Sequence, residues 1–281
     1  MKKLSILVAS IMIIAMVVSS LVGGCTSTDT DKLIVVTSTS LLSQIVERVG
    51  GDLVDVTNII PPSQCPGHFE VKVSDIEKLA NAKIFFMHGW QGEMFTQELI
   101  ESADNPDLTV VVVNIAGNWM TPPVQVEAID EITPWIIHAD IDNAAAYQQA
   151  AEDMKDTIEA KGEEVQDRLA GEDLASINVM CAEQQAGFVS WVGFNIVATF
   201  GRPDTLTPQV IQDLVDQGRE ADVTLIIDNL QSGADAGQPL ALDIGCDRII
   251  LSNFPGGFDD TETWEKAIDK NIDIILEVIA P

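Results

Sequence analysis

The stretch that decides the fold runs from Asn143 to Leu169 and reads Asn-Ala-Ala-Ala-Tyr-Gln-Gln-Ala-Ala-Glu-Asp-Met-Lys-Asp-Thr-Ile-Glu-Ala-Lys-Gly-Glu-Glu-Val-Gln-Asp-Arg-Leu. Its apolar residues recur mostly three and four positions apart, which is the spacing of one face of an α-helix. It contains no proline and a single glycine, Gly162. At 1.5 Å per residue this helix would run roughly 40 Å, the width of a domain. We therefore expect a stiff helix, within residues 141–170, that joins two lobes and permits little rotation between them.

On both sides of this helix, short β-branched runs alternate with helical patterns, which is typical of parallel βα units. The pattern predicts an α/β fold with an N-terminal lobe at residues 33–140 and a C-terminal lobe at residues 171–281. The predicted strands are Leu33–Val36, Leu53–Ile59, Lys83–Met87, Leu108–Asn114, Ile177–Cys181, Phe194–Thr199, Val223–Asp228 and Arg248–Leu251. The predicted helices besides the long one are Leu41–Val49, Ser74–Ala82, Met94–Ser102, a helix opened by Thr207-Pro208, and Trp264–Ile279.

The N-terminal residues have the pattern of a lipoprotein signal peptide. Lys2 and Lys3 precede an apolar stretch, and small residues lead directly to Cys25. A positive segment, an apolar segment and a small-residue cleavage site make a secretory signal. We expect residues 1–24 to be removed, Cys25 to carry the lipid, and polar residues 25–32 to form a tether. The alternative is an uncleaved membrane anchor; in either case the protein lies outside the cell membrane and is attached to it.

Composition excludes one class of partner. The chain of 281 residues carries 44 acidic and 15 basic residues, a formal net charge of −29. A surface this negative repels nucleic acid and anionic lipid, and we therefore expect no nucleic-acid partner.

Beyond Cys25 three cysteines remain, Cys65, Cys181 and Cys246. An odd number leaves at least one thiol unpaired.

Parallel open sheets bind their ligands beyond the carboxyl ends of the strands. This rule selects seven segments as loops at a cleft: residues 37–40, 61–70, 88–92, 117–138, 181–185, 228–233 and 252–257. All three histidines of the chain, His68, His88 and His138, fall within these segments, as do Cys65 and Cys181. We interpret Cys181 and His88 first as structural residues, a buried thiol and a hydrogen-bonded side chain.

Several motifs resemble one family. Val-Gly-Gly-Asp at residues 49–52 precedes the predicted strand Leu53–Ile59, which leads into Pro61-Pro62. Cys65-Pro-Gly-His-Phe-Glu70 and Ser-Asp-Ile at 74–76 follow. Phe85-Phe-Met-His-Gly89 and the closing residues 262–279 add to the match. These residues are similar to the zinc- and manganese-type solute-binding lipoproteins of bacterial and archaeal ABC importers. The resemblance implies two Rossmann-like lobes, a rigid connecting helix, a metal ion in the cleft, and permease and ATPase subunits as partners.

The resemblance also implies metal ligands, which are carried over residue by residue. His68 stands where the family's first histidine stands. The second position is occupied by Trp135, and His138 follows three residues later as a substitute. Glu183 is the candidate at the third position. At the fourth, where the family has an aspartate, this chain has Ser252-Asn253, so that Asn253 is the candidate.

Cys65 adds a thiol to this set, because two residues separate it from His68 and a loop could bring both to one ion. Sulfur and nitrogen ligands favour Zn²⁺ or Cu⁺ over Mn²⁺. We therefore expect a monomeric receptor for a transition metal, zinc first and manganese, copper(I) or another metal second. Two alternatives stay open. Trp90, Trp119 and Trp135 could stack on an organic cation or a metal chelate, or the chain could be an anchored interaction lipoprotein that has lost metal binding.

The sequence offers no pattern of an enzyme. It lacks a Gly-x-Ser-x-Gly elbow, a phosphate-binding glycine loop and a His-Glu-x-x-His helix. We therefore expect no catalysis.

Overall fold

Eight parallel strands make up the sheets in the part of the chain described by the computed structural model, which covers residues 32–90, 93 and 95–280. The strands are β1 Leu33–Thr37, β2 Val54–Asn58, β3 Ile84–His88, β4 Thr109–Val113, β5 Asn178–Ala182, β6 Asn195–Phe200, β7 Leu225–Asn229 and β8 Asp247–Leu251. They form two four-stranded sheets, in the orders β2-β1-β3-β4 and β6-β5-β7-β8. All eight predicted strands are therefore present, and the predicted α/β fold class is confirmed.

Helices follow the strands in each half. They are α1 Ser40–Gly50, α2 Val73–Asn81, α3 Phe95–Ala103, α4 Pro122–Ala139, α5 Ala144–Leu169, α6 Ala186–Val192, α7 Pro208–Glu220, α8 Leu230–Gly233, α9 Gln238–Ile244 and α10 Trp264–Ile279. In each sheet the first strand has the second strand on one side and the third strand on the other. The direction of winding therefore reverses between β1 and β3 and between β5 and β7. Ligands bind at such switch points in open α/β sheets.

The long helix predicted from the sequence is α5, which has 26 residues. Its buried side is the predicted stripe, with Tyr147, Met154, Ile158 and Val165 among the buried residues. Gly162 lies on this buried side and meets the start of α4: a Cβ atom there would lie 2.6 Å from Cγ of Pro122. The glycine therefore permits close helix packing.

Helix α4 corrects one expectation. Residues 117–138 were expected to form a loop at the cleft, but Pro122–Ala139 is an 18-residue helix. Pro122 and Pro123 occupy its first positions, where the missing N–H costs nothing. A stripe of buried residues runs along it: Gln125, Ala128, Ile129, Ile132, Thr133 and Ile136. Trp135 and His138 are exposed on this helix, so neither belongs to a cleft loop.

One apolar cluster runs through both halves of the chain. It includes Val35 and Phe86 of the first sheet, Ile227 of the second, and buried residues of α1, α4, α5 and α10. From Lys32 onward the chain forms a single compact unit. The lobe boundaries at 140/141 and 170/171 stay predictions.

The signal peptide, the lipidation site Cys25 and the tether up to residue 31 lie outside the described residues. Within the described ranges, no helix combines the length and the apolar character needed to cross a membrane.

Candidate binding cavity

Both sheets direct the carboxyl ends of their strands to one cavity of about 340 Å³. Each strand contributes residues from the segment that follows it, so the cavity lies where the sheet rule predicts a ligand. From the first half it is lined by Leu41, Cys65, Pro66, Trp90, Gly117, Asn118 and Trp119, and from the second half by Gln184, Arg202, Asn229, Gln231, Ser232, Asn253 and Phe254.

One wall of the cavity is aromatic. Trp90 lies parallel to Phe254, with 6.4 Å between the ring centroids, and at right angles to Trp119. Behind Trp90, the ring of His88 stacks on the indole at 3.7 Å. His88 is fully buried, and its Nε2 lies 2.8 Å from Oγ1 of Thr39. Burial lowers the pKa of His88 to about 3, so the ring is neutral and supports the wall.

Beside this wall lies a buried carboxyl group, Glu93. It accepts hydrogen bonds from Oγ of Ser38 and from the backbone of His88. Burial nevertheless raises the pKa of Glu93 to about 8, because desolvation of the charge outweighs these two hydrogen bonds. At neutral pH the group is therefore mostly protonated and adds little negative charge near the cavity.

Primary amides also line the cavity and connect the two halves of the chain. Asn118, which follows β4, donates to the carbonyl oxygen of Gln184 (2.8 Å) and to Oδ1 of Asn253 (2.9 Å). Asn253 donates in turn to the same carbonyl of Gln184 at 2.8 Å. Gln231 donates to the carbonyl of Pro62 at 2.9 Å and accepts from the backbone N–H of Asn253 at 3.0 Å. These bonds hold the loops of both sheets at fixed positions around the cavity.

The predicted site residues are not all at the cavity. Cys65, with 6% of its surface exposed, and Asn253 line it. His68 and Glu183 are exposed and are not among its lining residues, although each lies next to the lining segments 65–66 and 184 in the sequence. His138 lies on α4, away from the lining. Among the described residues, no three His, Cys, Asp or Glu side chains lie close enough together to hold a metal ion.

The cysteines of the described chain are all free thiols. Cys181 is fully buried in β5, and burial raises its pKa to about 12, so it stays a protonated thiol. This agrees with its interpretation as a structural residue. Cys246 is partly exposed and does not line the cavity.

Several lining residues carry no signal in the sequence that marks them as ligands. Asn118, Gln184, Gln231 and Ser232 lie within segments that the strand-end rule assigns to the cleft, but neutral amides and hydroxyls carry no signature of metal or acid–base chemistry. Arg202 follows β6, the one strand of the second sheet whose succeeding loop was not selected. Applying the strand-end rule to β6 as well would have found it.

Comparison with known proteins identifies the family. The family model described as "Zinc-uptake complex component A periplasmic" matches residues 35–278. The chain belongs to this family. The resemblance inferred from the motifs at residues 46–76 is thereby confirmed.

The individual proteins that the chain resembles include lipoproteins named for the metals that they bind or transport. The chain is 23% identical over 234 residues to the manganese-binding lipoprotein MntA of Halalkalibacterium halodurans, which covers 76% of this chain and 78% of that protein. It is 27% identical over 106 residues to the iron ABC transporter substrate-binding lipoprotein MtsA of Streptococcus pyogenes, covering 36% of this chain and 34% of that protein.

Solved structures of low identity share the fold. FpvC of P. aeruginosa, solved with Mn²⁺, superposes with a TM-score of 0.76 at 18% identity, over 89% of this chain and 98% of FpvC. A ZnuA deletion mutant solved with zinc gives 0.74 at 17% identity, over 89% and 99%. Since the zinc-uptake component A family consists of substrate-binding components of ABC transporters, the chain is a binding protein and not an enzyme.

Proposed function

We propose that this chain is the extracytoplasmic, lipid-anchored receptor of an ABC importer and that its solute is a transition metal, zinc first. The observation that carries the proposal is Cys65, a free thiol that lines the cavity between the two sheets of a zinc-uptake component A fold. Related proteins are named for manganese or iron, which supports a metal as the solute.

The thiol favours zinc or copper(I) over manganese, because manganese prefers oxygen ligands. Asn253 is the second predicted ligand that lines the cavity and could contribute its amide oxygen. His68 and Glu183 are exposed in adjacent segments and could join the site only if the loops 61–70 and 183–185 rearrange on binding.

Metal retention tests this proposal directly. The full-length chain, purified in detergent under reducing conditions, is stripped with a chelator and equilibrated with Zn²⁺, Mn²⁺ or Cu⁺. We expect elemental analysis to find about one zinc per chain and less manganese. Cys65→Ser should lose zinc, whereas Cys246→Ser, which removes a free thiol outside the cavity, should retain it. Equal retention by Cys65→Ser would contradict the assignment of Cys65.

A second candidate is a metal chelate or another small organic solute. The cavity favours this candidate, because it is far larger than a single ion. Its described lining residues include three aromatic rings and five amides but no carboxylate or imidazole. Rings and amides bind organic groups by stacking and hydrogen bonding. Retention of metal only when a chelator is supplied would favour this candidate. Retention of neither would favour an interaction lipoprotein without a solute.

The proposed partners are a permease and an ATPase, with the lipid on Cys25 holding a monomeric receptor at the membrane. Cys25→Ser should release the protein from the membrane fraction or block removal of residues 1–24. Mass spectrometry of the mature N-terminus measures this, and a mature chain that starts elsewhere would contradict the assignment.

A further inference from the structure

Arg202 is the one charged residue among the described residues that line the cavity. It follows β6 at the carboxyl end of the second sheet and is half-buried. It lies against the loop that carries Cys65: a Cβ atom on Gly67 would be 3.0 Å from Nη1 of Arg202. The guanidinium therefore lies close to the loop that carries the proposed thiol ligand.

The guanidinium of Arg202 has no ion-pair or hydrogen-bond acceptor among the described residues. The other four arginines of the chain each donate to a carboxylate or a carbonyl oxygen, as Arg248 does to Asp228 at 2.7 Å. Acidic residues outnumber basic ones 44 to 15, so acidic partners are abundant. Arg202 lacks an acidic partner and lies in a cavity whose described lining contains no acid. It is therefore positioned to pair with an anion that a ligand supplies.

The aromatic wall adds a second unused donor. The indole Nε1 of Trp119, which lines the cavity, is buried and has no acceptor within the described part of the chain. Trp90 and Phe254 present flat apolar surfaces to the same space. A ligand that places an anionic oxygen near Arg202 and a flat group against the rings would match both features. An organic cation would instead face the positive charge of Arg202 with nothing to compensate it.

We propose that the solute is a transition metal complexed by a small, flat chelator that carries carboxylates, and that a chelator carboxylate pairs with Arg202 while the metal approaches Cys65. This rests on the proposed function and names the chemical form of its solute. Arg202 then binds the solute directly and sets specificity for an anionic complex over the bare ion.

Titration with defined probes tests this form. The full-length chain in detergent is titrated by calorimetry and by tryptophan fluorescence with Zn²⁺ alone, with pyridine-2,6-dicarboxylate alone, and with their preformed complex. We expect the complex to bind more tightly than Zn²⁺ alone. Arg202→Gln should weaken binding of the complex about ten- to hundredfold, the range for a lost charge-assisted hydrogen bond, and leave binding of Zn²⁺ alone within about twofold.

Two matched variants control for charge and folding. Arg202→Lys keeps the charge but not the forked geometry and should lose less than Arg202→Gln. Arg219→Gln removes an exposed arginine on α7 and should leave all affinities unchanged. Equal binding of the complex by Arg202→Gln and the wild type, or an equal loss in Arg219→Gln, overturns the inference. If the wild type binds neither Zn²⁺ nor the complex, the proposed function itself fails.

Discussion

Two buried titratable side chains, His88 and Glu93, support the aromatic wall, and both are neutral near pH 7. Burial lowers the pKa of His88 to about 3 and raises that of Glu93 to about 8. An unfolded histidine takes up a proton near pH 6.5, whereas the folded His88 does not. The free energy of unfolding therefore falls as the pH drops below 6.5. Glu93 acts in the opposite direction, because its carboxyl loses the proton near pH 4.5 when unfolded and keeps it to about pH 8 when folded.

The raised pKa of Glu93 predicts a pH dependence of the free energy of unfolding. Between pH 6.5 and 8 the folded state holds a proton that the unfolded state has lost, so the free energy of unfolding falls as the pH rises, by at most about 1.4 kcal/mol per pH unit. Glu93→Gln should flatten this fall. Glu98→Gln, an exposed glutamate on α3, should leave it unchanged. Denaturant unfolding at pH 6.5, 7.2 and 8 measures the slopes; parallel slopes for wild type and Glu93→Gln would contradict the prediction.

At the scale of residues, the sequence predicts the place of the site better than its chemistry. The strand-end rule selected the segments that contain Cys65, Trp90 and Asn253, because it depends only on topology. The ligand set did not come together, since His138 belongs to a helix and His68 and Glu183 are exposed. Arg202 could not be singled out by its type, because its lack of an acidic partner is visible only in three dimensions.

At the scale of elements, the close contact between α4 and α5 depends on a missing side chain. Gly162 faces Pro122 at the start of α4, where a Cβ atom would lie 2.6 Å from the proline ring. Lys155 of α5 adds an ion pair to Asp130 of α4 at 2.8 Å. Gly162, the one glycine of the long helix, therefore has a packing role.

Gly162→Ala should therefore destabilise the protein, although alanine is normally the better helix former. Two rigid helices must separate to admit the methyl group, which costs about 1–3 kcal/mol. Gly171→Ala is the matched control, because nothing lies within 4 Å of a Cβ atom there, and it should be neutral or slightly stabilising. Thermal unfolding measures both, and an unchanged or higher midpoint for Gly162→Ala would show that the contact is loose.

Most elements could be predicted because their patterns are long or repeat cleanly. All eight strands, α5 and α10 were found, the last with identical bounds, Trp264–Ile279. Helix α4 was not predicted, because Pro134 lies within it and proline usually ends a helix. The short helices α6, α8 and α9 were also absent from the prediction, since four to seven residues carry too little periodicity to recognise.

At the scale of the whole molecule, several polar contacts and a shared apolar cluster connect the two halves of the chain. Oγ of Ser40 donates to the carbonyl of Pro255 at 2.8 Å, and Nε1 of Trp264 donates to the carbonyl of Trp119 at 3.1 Å. Arg48 of α1 pairs with Glu265 of α10. The apolar cluster that continues through α5 buries side chains from both sheets together. A rotation of one half against the other would break these contacts at once.

We therefore expect solute binding to change local order and stability without changing overall dimensions. Hinge closure is common among periplasmic binding proteins, but here the long helix α5 and the shared apolar cluster oppose it. A solute that binds only the folded state at a hundredfold excess over its dissociation constant should stabilise it by about 2.7 kcal/mol. Small-angle scattering with and without zinc or its dicarboxylate complex should nevertheless give nearly coincident profiles. A clear drop in the radius of gyration on binding would contradict this expectation, because the hydrogen bonds between the two halves would then have to be open in the free receptor.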